Sequence, residues 1–283
     1  MQSPLVGDLF SVLVISLIAG LGTSVGGLIA VWRRPGKRLF GLLMGITAGV
    51  MISLSFLELV NEAWELGGFL TATIGFSLGA LFMFALDYFT PHMRFGEREV
   101  RQVREISQPR YEPFHRIGRR WQHGPMRRKT AITDRQLWRT GMLLAVGITI
   151  HNIPEGIAVG AGYIHEPAFG IFVGIAILLH NIPEGIATAL PLCKSGVCRW
   201  DSFRVAMLSG LTEPIGALLA ALFLSSFAGF VPASLAFAGG VMVFITLDEL
   251  LPAARKYGHQ HTVAIGIILG TIFVFLLSGL LGV

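Results

Sequence analysis

The octapeptide His151-Asn152-Ile153-Pro154-Glu155-Gly156-Ile157-Ala158 recurs as His180-Asn181-Ile182-Pro183-Glu184-Gly185-Ile186-Ala187. Eight identical residues in a row exceed what a shared apolar composition produces. His and Glu four apart lie on one face of a helix, one turn from each other. His151 with Glu155, and His180 with Glu184, therefore each present an imidazole nitrogen and a carboxylate to a common point. Asn152 and Asn181 are rotated by one residue and reach an adjacent point. Pro154 and Pro183 give no backbone hydrogen bond, so carbonyls at about Ile150 and Leu179 are expected to be freed and the helices to bend. Gly156 and Gly185 let neighbouring helices come close.

Both copies lie about twelve residues into long apolar segments, near the middle of a bilayer. A carboxylate at that depth costs several kcal/mol unless it is paired or ligated. No Lys or Arg lies at that depth, which excludes a salt bridge to either. A bound cation or protonation remains. Two His, two Glu and two Asn form a mixed N and O donor set that suits Zn, and also Fe(II), Mn, Co, Ni or Cd. Ca and Mg prefer oxygen alone. The competing reading is a hydrogen-bonded structural core with protonated Glu.

Other polar residues at membrane depth extend the list. Glu213, followed by Pro214, is a further ligand candidate, and the thioether of Met51 is another. Glu58, Asp248 and Glu249 sit near the ends of their segments, as a candidate pathway or as solvated boundary residues. His259 and His261 could receive metal on the inner side. Cys193 and Cys198 have a spacing read as ordinary.

The elements that position these residues follow from hydropathy. The chain has 283 residues, 53% hydrophobic and 14% charged, with mean hydropathy +0.67. A soluble domain carries about a quarter charged residues. An ordinary soluble enzyme and a disordered chain are excluded, and two cysteines exclude a disulfide framework. The expected fold is an all-α polytopic membrane protein with eight transmembrane helices, at about 8–32, 39–62, 68–89, 138–161, 168–192, 203–226, 232–252 and 261–282. No cleavable signal peptide is expected, because nothing basic precedes the first apolar run. The segment 90–137 is a basic loop in this reading. His92, His115 and His123 within it are loosely spaced, and a solvated topogenic loop is preferred to a nucleic-acid or anionic-lipid patch.

With eight spans, all 22 Lys and Arg residues fall on one side. The positive-inside rule makes that side cytoplasmic and puts both termini outside. The opposite side carries Asp8, Glu62, Glu65 and Glu166.

The chain also repeats itself on a larger scale. Gly49-Val50-Met51 and Glu58-Leu59 reappear 191 residues on as Gly240-Val241-Met242 and Glu249-Leu250. Gly20-Leu21 and Gly26 reappear 190 residues on as Gly210-Leu211 and Gly216, with Thr23 aligned to Glu213. Spans 1–3 thus resemble spans 6–8, five spans apart, and must be inverted in the membrane around a symmetric 4–5 pair. Inverted repeats are typical of transporters, with the substrate near the midplane.

Two HNxPEG motifs on consecutive spans of an eight-span chain resemble the ZIP (Zrt-/Irt-like protein) family of divalent-metal transporters, and within it the bacterial ZupT-like branch. The resemblance implies uptake of zinc and related metals into the cytoplasm, across the cell inner membrane, through a two-metal site. It assigns one centre to His151, Glu155, His180, Glu184 and Met51. The second would use Asn152, Asn181 and Glu213, sharing Glu155 and Glu184. Some relatives carry Gln-Asp where His180-Asn181 stand, so the second centre is less acidic here. No prosthetic group is implied, and the metal is cargo. The expected partners are divalent metal ions and membrane lipids, with no nucleic acid; a homodimer is left open. A proton-coupled exporter or antiporter could use the same ligands. An intramembrane metalloenzyme is a weaker alternative, because HExxH is absent and the donors leave few open positions. By expectation the chain is not an enzyme. Inverted repeats suggest alternating access, with spans 4 and 5 moving as a unit.

Overall fold

The computed structural model describes residues 4–33, 35–89, 134–257 and 259–283. The greater part of the 90–137 loop, with His92, His115 and His123, lies outside them. The described residues are helical, without a strand. The order is α1 (Pro4–Trp32), α2 (Lys37–Ser53), a π-helical turn (Leu54–Leu59), α3 (Val60–Phe89), α4 (Arg135–His165), α5 (Pro167–Lys194), α6 (Arg199–Gly210), α7 (Thr212–Ser226), α8 (Val231–Ile245), a second π-helical turn (Thr246–Leu250), α9 (Leu251–Tyr257) and α10 (Gln260–Leu281). A short 3-10 turn, Ala228–Phe230, joins α7 to α8.

Seven helical stretches among the described residues are long and apolar enough to cross a membrane. One of them, Arg38–Tyr88, is 51 residues long. At 1.5 Å per residue that is about two and a half times the thickness of a hydrocarbon core. Gly68 interrupts it with φ 75 and ψ 168. A side chain there would be strained, so the turn needs glycine. The helix runs on past the expected end of span 2 at 62, because Ala63, Trp64 and Leu66 continue the apolar pattern up to that glycine.

Two further boundaries differ from expectation. The expected span 203–226 is two helices, α6 and α7, broken at Leu211. The expected span 232–252 is α8, a π-helical turn and part of α9. By contrast α4 and α5 run unbroken through Pro154 and Pro183.

The helices pack in pairs whose backbones touch at glycines. A Cβ at Gly26 on α1 would strike the Ile182 carbonyl of α5, and one at Gly216 on α7 would strike the Ile153 carbonyl of α4. Gly185 meets the Thr23 carbonyl, and Gly156 meets that of Glu213. Gly20 and Gly210 meet each other's carbonyls. Elsewhere Gly49 on α2 meets Ile267 on α10, and Gly240 on α8 meets Phe76 on α3. Small residues let helices approach closely where lipid offers no hydrophobic drive for association.

This packing forms two groups. One holds α1, α4, α5, α6 and α7; the other holds α2, α3, α8, α9 and α10. They meet along α4 with α8 and along α2 with α5. The HNIPEG motifs sit in the first group, facing that seam.

Candidate metal centre

The motif residues are buried. Asn152, Glu155, Asn181 and Glu213 are 0% exposed, and His151, His180 and Glu184 at most 2%. One donor atom from each of Glu155, His180 and Glu184 falls in a cluster whose members all lie within 4.8 Å of one another. His180 Nε2 is 3.1 Å from Glu155 Oε1. The i,i+4 spacing on α5 sets His180 above Glu184, and the pairing of α4 with α5 brings in Glu155. Glu155 Oε2 and Glu184 Oε2 have no hydrogen-bond partner. Buried polar atoms are nearly always bonded, so a group of orphaned donor atoms calls for an explanation. A cation among them is one.

His151 borders this cluster and is not one of its three members. Its Nε2 lies 3.4 Å from Glu249 Oε1, within ion-pair range. Glu249 comes from the second π-helical turn, and its side chain is 14% exposed. Such turns are frequent at functional sites. Glu58, its repeat mate, lies in the first π-helical turn and is partly buried. Asp248 is exposed.

Met51 is fully buried, and its sulfur lies 3.6 Å from Thr246 Oγ1. Thr47, one turn before it on α2, donates to the His180 carbonyl at 3.4 Å. These contacts place α2 and the second π-helical turn against the motif.

The asparagines form a second layer. Asn152 Nδ2 donates to the Ser209 carbonyl at 2.8 Å. Asn181 Nδ2 donates to the Ala19 carbonyl at 3.1 Å and to Glu213 Oε2 at 2.8 Å. With both amide nitrogens occupied, both amide oxygens are buried and lack partners, as does Glu213 Oε1. The break at Leu211 helps here. It ends α6 at the carbonyls that hold Asn152 and starts α7 just before Glu213, which lies in that helix's first turn. A carboxylate is favoured at that positive end.

Two features were not foreseen. One is the direct approach of Glu249 to His151. The other is His165 at the C-terminal end of α4, whose Nε2 lies 2.8 Å from Glu62 Oε1 of α3. A lone His beside Glu166 carries no spacing signal. His259 and His261 are exposed at the start of α10, Cys198 is exposed and Cys193 buried.

The family model described as "ZIP Zinc transporter" matches residues 3–278. The chain belongs to the ZIP zinc transporter family. The protein called zinc transporter ZupT from Oceanobacillus iheyensis is 38% identical over 267 residues, covering 90% of this chain and 92% of its own. Zinc transporter ZupT from Lysinibacillus sphaericus is also 38% identical, over 267 residues, with the same coverage. Zinc transporter ZTP29 from Arabidopsis thaliana is 38% identical over 251 residues, 87% of this chain and 85% of its own. These ZIP relatives are named as zinc transporters and match along most of the chain.

Proposed function

We propose that this ZIP protein carries divalent transition-metal cations, zinc foremost, across the bacterial inner membrane into the cytoplasm. The route passes through a mid-membrane centre of His151, Glu155, His180 and Glu184. A second centre at Asn152, Asn181 and Glu213 shares the two glutamates, and Met51 lies beside the first. Iron, manganese, cobalt and cadmium fit the same donor types. The observation that carries this reading is the buried Glu155–His180–Glu184 cluster with its unpartnered donor atoms. Ionisable side chains inside a membrane are costly and rare, and they mark ion pathways and proton relays.

The 51-residue stretch is read as two spans turning at Gly68, which gives eight spans with both termini outside. The inverted-repeat reading is supported by contacts that recur in pairs. Gly26 against Ile182 matches Gly216 against Ile153, and Gly185 against Thr23 matches Gly156 against Glu213. Asn181 to Ala19 matches Asn152 to Ser209. Ser55 to the Met51 carbonyl matches Thr246 to the Met242 carbonyl, both at 2.7 Å. Within this scheme metal moves by alternating access. Spans 4 and 5 travel with α1, α6 and α7, while Met51 and Glu249 stay with the other group. Metal passes from Glu58 on the outer side toward Glu249 and Asp248 on the inner side.

Purified protein in sealed liposomes tests the function. Zinc should accumulate from the side bearing the termini. Zinc movement only outward from the cytoplasmic side, driven by a proton gradient, would replace uptake by export.

A further inference from the structure

Thr23 is fully buried on α1, and its Oγ1 has no hydrogen-bond partner. Hydroxyls on these helices normally bond to the carbonyl four residues back. Ser16, Ser55, Thr188 and Thr246 all do so, at 2.7–3.1 Å. For Thr23 that carbonyl is Ala19, which accepts from Asn181 Nδ2 and has no bond from Thr23. A buried hydroxyl left unbonded costs on the order of 1–3 kcal/mol, so its retention needs a reason.

Position supplies the reason. Ala19, Gly20 and Thr23 lie on one face of α1. Ala19 holds Asn181, and a Cβ at Gly20 would stand 3.6 Å from Glu213 Oε2. That face is therefore a wall of the second centre. Thr23 Oγ1 also lies 3.1 Å from where a Cβ of Gly210 would be, at the α6–α7 break. The paired contacts add an independent argument. Thr23 meets Gly185 as Glu213 meets Gly156, so Thr23 occupies on α1 the place that Glu213 occupies on α7. Glu213 reaches Asn181 from its side. By the same pairing Thr23 stands to Asn152 as Glu213 stands to Asn181, and the amide oxygen of Asn152 is likewise without a partner.

We infer that the Thr23 hydroxyl is a metal ligand of the second centre, facing Glu213 across it. The inference rests on the transport-site reading above. With Thr23 that centre is built of oxygen alone: Asn152, Asn181, Glu213, Thr23 and the shared glutamates. An all-oxygen set favours hard cations such as Mn2+, whereas the neighbouring centre with imidazole and thioether favours Zn2+ and Cd2+. Thr23 therefore bears on which metals the protein accepts, and not only on how well it works.

The test is binding of Mn2+ and Cd2+, each alone, to the purified full-length protein, by calorimetry and by Mn2+ electron paramagnetic resonance. Thr23→Val keeps the shape and removes the oxygen. It should weaken Mn2+ binding about tenfold or more, the lower end of what lost ligand support costs, and leave Cd2+ binding unchanged. Thr23→Ser should behave as the wild type. Thr23→Asp, which adds a carboxylate, should tighten Mn2+ binding and alter its resonance signal. Mn2+ binding by Thr23→Val equal to wild type, or by Thr23→Asp with an unaltered signal, overturns the assignment. Equal loss of both metals in Thr23→Val also overturns it, since that marks a packing role. Should Thr23→Val not fold, the Ser and Asp variants decide alone. A wild-type protein that binds Cd2+ but fails these comparisons leaves the transport-site reading standing. One that binds neither metal removes both.

Discussion

The imidazole of His180 on α5 lies 3.1 Å from the carboxylate of Glu155 on α4, with Glu184 completing the cluster. The contact joins the two copies of the motif. Glu155→Ala or Glu184→Ala should reduce zinc uptake by about 100-fold, on the scale of losses when metal sites are dismantled. Yield and melting temperature should stay near wild type, because the cluster holds more polar atoms than the fold bonds internally. Normal uptake by a well-expressed Glu155→Ala protein would remove the proposed centre.

Protons compete for the same donors. Histidine must be neutral and glutamate ionised to ligate, so metal binding releases protons. Lowering the pH through the histidine range, about 6–7, should therefore weaken zinc affinity. Raising the pH should restore it. Equilibrium titrations of the purified protein from acid to neutral pH check this, and an affinity constant across the range would count against His151 and His180. Uptake rate is a poorer gauge, because proton competition also speeds release.

Glu249 approaches His151 to 3.4 Å from the second π-helical turn. If metal leaves by this route, Glu249→Gln should slow delivery while the equilibrium affinity of the buried centre changes little. A single-turnover release measurement separates the two. Loss of affinity with unchanged release would instead make Glu249 a ligand of the resting centre.

Gly26 has no room for a side chain, since a Cβ would strike the Ile182 carbonyl backbone. Gly26→Val should cost about 1–3 kcal/mol or more through overpacking of α1 against α5. It should lower the melting temperature in detergent. Gly279, where a Cβ would meet nothing within 4 Å, should accept alanine without such a change.

Much of this was legible in the sequence, and the reasons differ by residue. His151, Glu155, His180 and Glu184 could be grouped because i,i+4 spacing fixes a helix face and charge at mid-membrane demands a partner. The glycine contacts could be read only as a repeat offset. Their partners, such as Ile182 and Phe76, are backbone carbonyls whose identity the side chain does not signal. The break at Leu211 was hidden because Gly210, Leu211 and Thr212 sit in an apolar run with no proline before Pro214. The run of α3 to Gly68 was hidden because Trp64 and Leu66 read equally well as loop or helix. His165 and Glu62 meet across a gap of about a hundred residues, and no spacing rule relates them.

That last pair gives the means to decide how metal moves. His165 ends α4, in the group that carries the motifs, and Glu62 begins α3, in the group that carries Met51. Their side chains touch at 2.8 Å and are 22% and 28% exposed, so reagents can reach them from water. If the motif group slides or rocks against its neighbour, this contact must open in every cycle. If metal hops through a fixed channel from Glu58 to Glu249, it can stay closed. After Cys193 and Cys198 are replaced by serine, Glu62→Cys with His165→Cys should crosslink readily through a short bismaleimide. The crosslinked protein should lose uptake and keep metal binding, and reducible crosslinkers should give uptake back on cleavage. A control pair within one group, on α4 and α7, should tolerate the same treatment. Full uptake with the Glu62–His165 positions locked together would exclude relative motion of the two groups at this end and leave the fixed channel standing.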